Sequence, residues 1–168
     1  MSFLSSRLAQ QSFGTFPDMD ENEPEPGDLI EIFCGGYNHW AVYIGEGNVV
    51  HFVATAGAAG VSTQPDKDQK GSVRKEKLEE VVGDSKWRIN NYLDKEYPPG
   101  CKNDIIEKAC NRVGSAPTYN LLRYNCEHFA TEMRNSMKVS RQVEETKVDL
   151  MLMKAAAEAF FGKTLTEN

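Results

Sequence analysis

The sequence predicts an α+β protein, because the segments with strand character come early in the chain and those with helical character come late. Its 168 residues suit one domain with a core of ordinary size. Hydrophobic residues make up 40% of the chain and charged residues 26%, which is typical of a soluble globular protein. This composition excludes a wholly disordered chain and a multi-span membrane protein.

The formal net charge of −6 is concentrated near the N-terminus. Residues 1–26 hold five acidic residues and one basic residue, whereas the remaining chain is nearly neutral, with 18 basic and 20 acidic residues. This balance argues against nucleic acid as a partner, since nucleic-acid binding requires a basic surface. We expect residues 1–24 to form a disordered acidic leader ahead of the folded domain.

Short apolar segments bounded by glycine, proline and polar residues predict the strands. The turn Pro26–Gly27 starts the first strand, and Gly45–Gly47 joins two further strands into a hairpin. The expected strands are Asp28–Phe33, His39–Ile44, Asn48–Val53 and Trp87–Asn90, with Lys75–Val82 left open between strand and helix. Residues 54–71 and 91–100 are expected to be loops.

Two helices are expected in the second half of the chain. The first spans Asp104–Val113, with Asn103 as its N-cap and Gly114 as its stop signal. The second spans Cys126–Lys138, where apolar residues recur at four-residue spacing. The C-terminal tail, residues 139–168, has helical propensity but an apolar face broken by charges. At best it forms an amphipathic helix at a membrane interface.

Four cysteines without a CxxC pair predict free thiols in a reducing compartment: Cys34, Cys101, Cys110 and Cys126. Arg7, Gln10 and Gln11 interrupt any apolar run that could act as a signal peptide. No stretch approaches the roughly 20 apolar residues that a transmembrane span needs. We therefore expect a cytoplasmic protein without a transmembrane span.

Two of the three histidines flank the predicted hairpin, so the length of its turn decides whether they can meet. A two-residue turn would place His39 and His51 on opposite faces of the sheet. A three-residue turn, with Gly47 at positive φ, places His51 opposite Ala41 and both imidazoles on one face. We expect the three-residue turn. Two histidines on one face, with a thiol nearby, would supply a nucleophile, a base and an orienting group.

Cys126 is the candidate thiol, because Asn125 is a good N-cap and makes Cys126 the first residue of its helix. The free N–H groups and the positive end of the helix dipole favour a thiolate there, and the same N–H groups could bind an oxyanion. The residues alone leave a plainer interpretation open: Cys126 as a small buried apolar residue, and the histidines as polar residues at a sheet edge.

A zinc site is the alternative use of these residue types. Cys126, His128 and the two hairpin histidines could all ligate zinc. However, the Cys-x-His spacing at a helix start points the two side chains about 200° apart around the helix axis. We therefore expect no metal site.

Several motifs together resemble the lecithin retinol acyltransferase superfamily, and most closely its HRAS-like suppressor branch, the phospholipase A and acyltransferase family. They are Pro26–Glu31, Tyr37–Gly45, Val49–His51 and Asn125–Phe129, with weaker matches at Val81–Lys86, Asn90–Asn91 and Tyr119–Leu122. The resemblance covers residues 25–138, which we expect to form the catalytic domain.

The resemblance implies a circularly permuted NlpC-type papain-like fold, with an antiparallel sheet and the nucleophile at a helix N-terminus. It implies that Cys126 is the nucleophile, that His39 is the general base and that His51 orients His39. Tyr37 and the helix start at Asn125 would help to bind the oxyanion. His128 is outside this triad, and we expect its role to be structural.

The implied activity is that of a calcium-independent phospholipase A1/A2 and acyltransferase without a cofactor. A Cys126 thioester would pass its acyl group to water, to the amine of an ethanolamine phospholipid or to a lysophospholipid. A cysteine amidase or peptidase of the same fold, and a non-catalytic regulatory module, are the alternatives. Many members of the family carry a C-terminal apolar anchor, but the charged residues within Val139–Phe161 lead us to expect none in this segment. Candidate bilayer contacts are the basic residues of Lys67–Lys77 and the apolar residues of Ala54–Val61. We expect a monomer that binds intracellular membranes peripherally.

Overall fold

Six strands in one antiparallel sheet form the centre of the molecule. The structure is a computed structural model and describes residues 23–55 and 67–166. Within these ranges the elements are β1 (Leu29–Phe33), β2 (Asn38–Gly45), β3 (Asn48–Ala54), β4 (Gln69–Lys77), α1 (Leu78–Val82), β5 (Lys86–Ile89), α2 (Lys102–Arg112), β6 (Thr118–Tyr119), α3 (Cys126–Asn135) and α4 (Arg141–Thr166). The α+β prediction is confirmed. Apart from its last two residues, the predicted leader lies outside the described residues.

The sheet has the strand order β5-β1-β2-β3-β4-β6, and every pair in it is antiparallel. The first four strands are neighbours in both sequence and space, so they form a meander. β5 returns to extend the β1 edge, and the two-residue β6 extends the other edge beside β4. The chemistry-bearing residues of β2, β3 and β4 therefore lie at the centre of the sheet.

The predicted three-residue turn between β2 and β3 is wrong: Gly45 pairs with Asn48, so the turn has two residues, Glu46 and Gly47. A β-bulge between Tyr43 and Gly45 shifts the register by one residue and gives the predicted pairing further along the hairpin. Glu46 and both flanking glycines have positive φ values, and His51 pairs with Ala41. The backbone N–H of Gly47 donates to the hydroxyl of Tyr43 at 2.9 Å, which ties the turn back onto β2. The register prediction is therefore confirmed, and it places the side chains of His39 and His51 on one face.

Apolar clusters cover both faces of the sheet. Trp40, Val42 and Phe52 lie on the face covered by α2 and α3, where they pack with Phe129 and Met133 of α3. Residues at the alternate positions of the strands face the other way and pack with Leu78 and Val82 of α1 and with Trp87. With both faces covered, open access to the sheet is restricted to its edges and strand ends.

Several predicted boundaries are wrong by a few residues. The predicted loop 54–71 overlaps β4, which already begins at Gln69, and residues 56–66 lie outside the described part of the chain. The ambiguous segment Lys75–Val82 contains both element types, because β4 ends at Lys77 and α1 follows directly.

The two longer predicted helices also differ at their ends. Asn103 is not the N-cap of α2; Cys101 occupies that position, and no side chain caps the helix there. The turn starts early because the carbonyl of Cys101 already accepts from the N–H of Ile105. Helix α3 ends at Asn135 rather than Lys138, because Ser136 adopts the left-handed conformation that stops a helix.

Helix α4 occupies the predicted tail, and its first turn packs onto α3. Val143 is buried, and the hydroxyl of Ser140 donates to the carboxylate of the buried Glu127 at 2.8 Å. Further along α4 the side chains of Val148, Met151, Leu152 and Met153 are exposed. None of the helices within residues 23–55 and 67–166 has both the length and the apolar content for crossing a membrane.

Candidate active site

His39 and His51 form a hydrogen-bonded pair on one face of the β2–β3 hairpin. Nε2 of His39 lies 2.8 Å from Nδ1 of His51, and the two rings meet edge to face at a centroid distance of 5.1 Å. Their contact follows from the pairing of His51 with Ala41, which makes the two histidines diagonal neighbours on adjacent strands. The pair leaves only Nδ1 of His39 and Nε2 of His51 for other partners.

Nε2 of His51 donates a hydrogen bond to the carboxylate oxygen Oε2 of Glu76 on β4. In the β3–β4 register Arg74 lies opposite His51, so Glu76 is the diagonal neighbour two residues further along the same face. Glu76 is not among the residues predicted from the sequence, because the long connection to β4 leaves the register of that strand undefined. The available signal is one acidic residue within a mostly basic strand.

Cys126 begins helix α3, as predicted from Asn125. The Oδ1 atom of Asn125 accepts hydrogen bonds from the N–H groups of Glu127 at 2.9 Å and His128 at 3.1 Å. In return, Nδ1 of His128 accepts from the N–H of Asn125 at 2.9 Å, which completes a capping box. This reciprocal cap fixes the helix start that carries Cys126. A histidine in the capping position was not foreseen.

The sulfur of Cys126 lies beside the peptide that joins Asn38 to His39. Its Sγ atom is 3.9 Å from the carbonyl oxygen of Asn38. The same carbonyl accepts from Nε2 of Gln142 at 3.1 Å, and the side chain of Asn38 donates to the buried Glu31 at 3.0 Å. Three separate elements therefore hold the strand end next to the thiol, and bring Cys126 to the end of the sheet at which His39 lies.

Burial makes both the thiol and the imidazole electrically neutral at neutral pH. It raises the pKa of Cys126 to about 11 and lowers the pKa of His39 to about 3. The expectation that the helix start favours a thiolate is therefore wrong for the free protein. The loss of hydration outweighs the hydrogen bonds that lower the thiol pKa, and the adjacent Glu127 raises it further.

Two tyrosines lie near the thiol. Tyr37, in the loop between β1 and β2, is 42% exposed, and its pKa is raised by burial and then by the neighbouring thiols of Cys34 and Cys126. Tyr119 of β6 is buried, and its hydroxyl accepts from the N–H of Cys126 at 3.4 Å. Tyr37 was predicted from the sequence and Tyr119 was not, because the short strand β6 reaches the site through its pairing with β4.

A cavity of about 280 Å³ opens at this end of the sheet. The histidine pair, Glu76 and both tyrosines line it, and Phe52, Val53 and Ala54 provide apolar wall. Cys34 also lines the cavity and is exposed. The cavity combines a histidine pair, a carboxylate, hydroxyl groups and apolar surface around one opening, and the buried Cys126 is not among the residues that line it.

Cysteine, histidine and carboxylate side chains are also metal-ligand types. Within the described ranges, no group of three or more histidine, cysteine, aspartate or glutamate side chains is placed to hold a metal ion. His128 was one of the four candidate zinc ligands in the sequence, and its Nδ1 atom accepts a hydrogen bond from the backbone N–H of Asn125. Its place is in the helix cap.

The fold and the site define an α+β protein with a helix-terminal thiol beside a histidine pair on an antiparallel sheet. The family model for lecithin retinol acyltransferase matches residues 22–139. The chain belongs to that family, as the motifs predicted.

Curated relatives make this placement more specific. The chain is 44% identical over 131 residues to human phospholipase A and acyltransferase 4, covering 76% of this chain and 80% of the relative. It is 39% identical over 151 residues to human phospholipase A and acyltransferase 3, covering 87% and 93%. Human phospholipase A and acyltransferase 1 is 39% identical over 139 residues, covering 82% and 83%. The similarity therefore extends over most of each protein.

Proposed function

We propose that this chain is a thiol-dependent phospholipase A1/A2 and acyltransferase. The observation that carries the proposal is the hydrogen-bonded His39–His51 pair, placed at the strand end that the thiol of Cys126 adjoins. A nucleophile, a base and a group that orients the base are the minimum for nucleophilic acyl transfer. The family and the printed names of the relatives support the same chemistry.

In the first half-reaction His39 accepts the proton of Cys126 at Nδ1 as the sulfur attacks an ester carbonyl of a glycerophospholipid. The carbonyl oxygen takes up the negative charge. In this proposal the hydroxyl of Tyr37 and the N–H of Cys126, which donates to the Tyr119 hydroxyl in the free protein, stabilise this charge. Collapse of the tetrahedral intermediate expels the lysophospholipid alkoxide, which receives the proton from His39. An acyl thioester remains on Cys126.

In the second half-reaction an acceptor attacks the thioester and His39 again takes its proton. Water gives a free fatty acid, whereas the amine of an ethanolamine phospholipid or the hydroxyl of a lysophospholipid gives a transferred acyl chain. The thiolate leaving group recovers the proton from His39. The scheme uses neither calcium nor a cofactor. Exclusion of water from the buried thiol would favour transfer over hydrolysis.

Asn125 contributes to this scheme through the backbone. Its Oδ1 atom caps α3, and its Nδ2 atom donates to the carbonyl of Leu121 at 2.8 Å. Because both ends of the side chain are engaged, its part in oxyanion binding is indirect. It orients the first turn of the helix, and with it the N–H of Cys126.

The size of the cavity favours a substrate that stays partly in the membrane. At about 280 Å³ it is at the lower limit of pockets for drug-sized ligands, roughly 300–1,000 Å³, so a two-chain lipid cannot enter whole. The exposed basic side chains of Lys70, Arg74, Lys75 and Lys77 lie on β4, the strand that also carries Glu76 into the cavity wall. They would attract anionic lipid headgroups to this edge.

The order of the elements supports the circularly permuted NlpC-type papain-like fold as the architecture of this enzyme. The histidine strands β2 and β3 precede the cysteine helix α3 in the chain. We retain this fold assignment as part of the proposal. The monomeric state and the cytoplasmic location stay predictions from the sequence.

The decisive experiment incubates vesicles of labelled phosphatidylcholine and phosphatidylethanolamine with the native protein and with Cys126→Ala. We expect the native protein to release free fatty acid and N-acylated product, and the variant to lose both. Cys110→Ala is the matched control, since Cys110 is an exposed free thiol on α2 and should leave both products unchanged. Equal product from native protein and Cys126→Ala would overturn the proposal.

A further inference from the structure

The hydrogen-bonded chain at the site continues beyond the histidine pair to a carboxylate. Glu76 Oε2 meets Nε2 of His51, and Nδ1 of His51 meets Nε2 of His39. We propose that Glu76 is a positioning residue that fixes the tautomers of both histidines, so that the unprotonated nitrogen of His39 is Nδ1. This inference rests on the proposed function, in which His39 Nδ1 accepts the thiol proton.

The tautomers follow from counting donors and acceptors along the chain. A carboxylate oxygen only accepts, so the proton of neutral His51 must be on Nε2. Nδ1 of His51 is then an acceptor and requires a proton on Nε2 of His39. The lone pair of neutral His39 consequently lies on Nδ1, the ring nitrogen of His39 that takes no part in the hydrogen bond to His51. Without Glu76, the reversed arrangement, with a proton on His39 Nδ1, would satisfy the pair equally well.

The surroundings keep both rings in the neutral form on which this count depends. Burial lowers the pKa of His39 and of His51, although the hydrogen bond that His51 donates to Glu76 partly offsets the shift for His51. The charged groups facing His51 are Glu76 and Arg74, and Arg74 lowers its pKa further. Around the cavity the other titratable groups are Cys34, Tyr37, Glu80 and Tyr119.

Glu76 also stabilises the positive charge that the proposed reaction creates on His39. When the Sγ–H bond of Cys126 breaks and the Nδ1–H bond of His39 forms, the imidazole becomes a cation in a buried position. His51 accepts from His39 Nε2 and polarises toward the Glu76 carboxylate at the far end of the chain. The Glu76 side chain is 39% exposed, so its carboxylate remains hydrated. The hydrogen bonds through His51 connect this carboxylate to the buried imidazole of His39.

Glu76→Gln tests the proposal, because an amide can donate through its nitrogen as well as accept. Donation to His51 Nε2 reverses both tautomers and places a proton on His39 Nδ1. With the same mixed vesicles, we expect kcat to fall at least tenfold and by no more than about 10⁴-fold, the range of general-base catalysis, with KM changing less than threefold. Glu107→Gln, an exposed carboxylate on α2, is the control and should match the native protein.

The tautomers themselves are read by ¹⁵N NMR of the histidine side chains, which a merely structural role for Glu76 would not change. In the native protein we expect protonated Nε2 and unprotonated Nδ1 on both His39 and His51, and in Glu76→Gln a population with the reverse pattern. Protonated Nδ1 on His39 of the native protein would overturn the inference, as would native kcat in Glu76→Gln. If the native protein lacks this tautomer pattern, the inference about Glu76 fails and the proposed function is unaffected. If Cys126→Ala keeps full activity, the proposed function fails, and the NMR result does not change.

Discussion

At the scale of single residues, two opposing effects act on Cys126. The helix start and its N–H groups favour the thiolate, whereas burial favours the thiol, and burial prevails. His39 is likewise kept neutral by burial. The site therefore holds a neutral thiol and a neutral imidazole, and in the proposed reaction proton transfer accompanies attack on the substrate.

The neutral pair predicts a distinctive pH dependence for alkylation of Cys126 by iodoacetamide. Because only the thiolate reacts and the pKa is about 11, the rate should rise about tenfold per pH unit from pH 7 to pH 9. Mass spectrometry of the peptide that contains Cys126 separates its labelling from that of the three exposed cysteines. A rate that is already constant between pH 5 and pH 8 would instead indicate a thiolate–imidazolium pair.

At the scale of elements, the start of α3 is the part of the site that the sequence describes best. Asn125 and Cys126 have the predicted positions, because N-capping depends on residues within one turn. The hairpin has the predicted pairing of His51 with Ala41, but a two-residue turn and a β-bulge produce it rather than the expected three-residue turn. His128 adds the second half of the cap, a role that glutamate or glutamine usually has.

Substitution of His128 should separate the cap from any chemical role. His128→Ala removes the acceptor for the N–H of Asn125 and should lower the free energy of unfolding by about 1 kcal/mol. His128→Gln keeps an acceptor at the same position and should lose less. Urea unfolding of both variants measures the difference. Equal destabilisation by the two would show that the ring's packing on Tyr124, rather than the cap, is what matters.

Other features of the site depend on contacts between segments that are distant in the chain, so they could not be predicted from local sequence patterns. Glu76 required the register of β4, and Tyr119 required the pairing of β6 with β4. The neutral state of Cys126 required the packing that removes its water. Asn103 is not the cap of α2, because the carbonyl of Cys101 already accepts from the N–H of Ile105 and the helix begins two residues earlier than local propensity suggests.

At the scale of the whole molecule, the start of α4 is part of the packed structure around the site. Glu127, next to Cys126, is buried and accepts from the hydroxyl of Ser140 and from the N–H of Arg141 at 3.0 Å. Its other partner is the hydroxyl of Tyr92 at 2.8 Å, over whose ring the guanidinium of Arg141 lies. The packed region therefore continues to Val143 at least, five residues beyond the predicted boundary at Lys138.

Two truncations test this extension. A chain ending at Lys138 loses the buried Val143 and leaves Glu127 without two hydrogen bonds, so we expect a loss of about 3 kcal/mol or more in unfolding free energy. A chain ending at Lys147 keeps these contacts and should stay within about 1 kcal/mol of the full chain. Chemical denaturation of the two chains compares them. Equal stability of both would show that the junction contributes nothing.

The position of the thiol in the chain has a consequence for engineering. Asn38, whose carbonyl oxygen Cys126 approaches, lies 88 residues before it. Both histidines and Glu76 lie before the exposed segment Pro98–Gly100, and Cys126 lies after it. A chain divided there would yield one fragment with the base and its supporting groups and another with the sulfur, each chemically incomplete. Reassembly of the two fragments through the contacts between the sheet and α3 would bring the histidines, Glu76 and Cys126 together again. The fold is therefore suited to the design of a split protein.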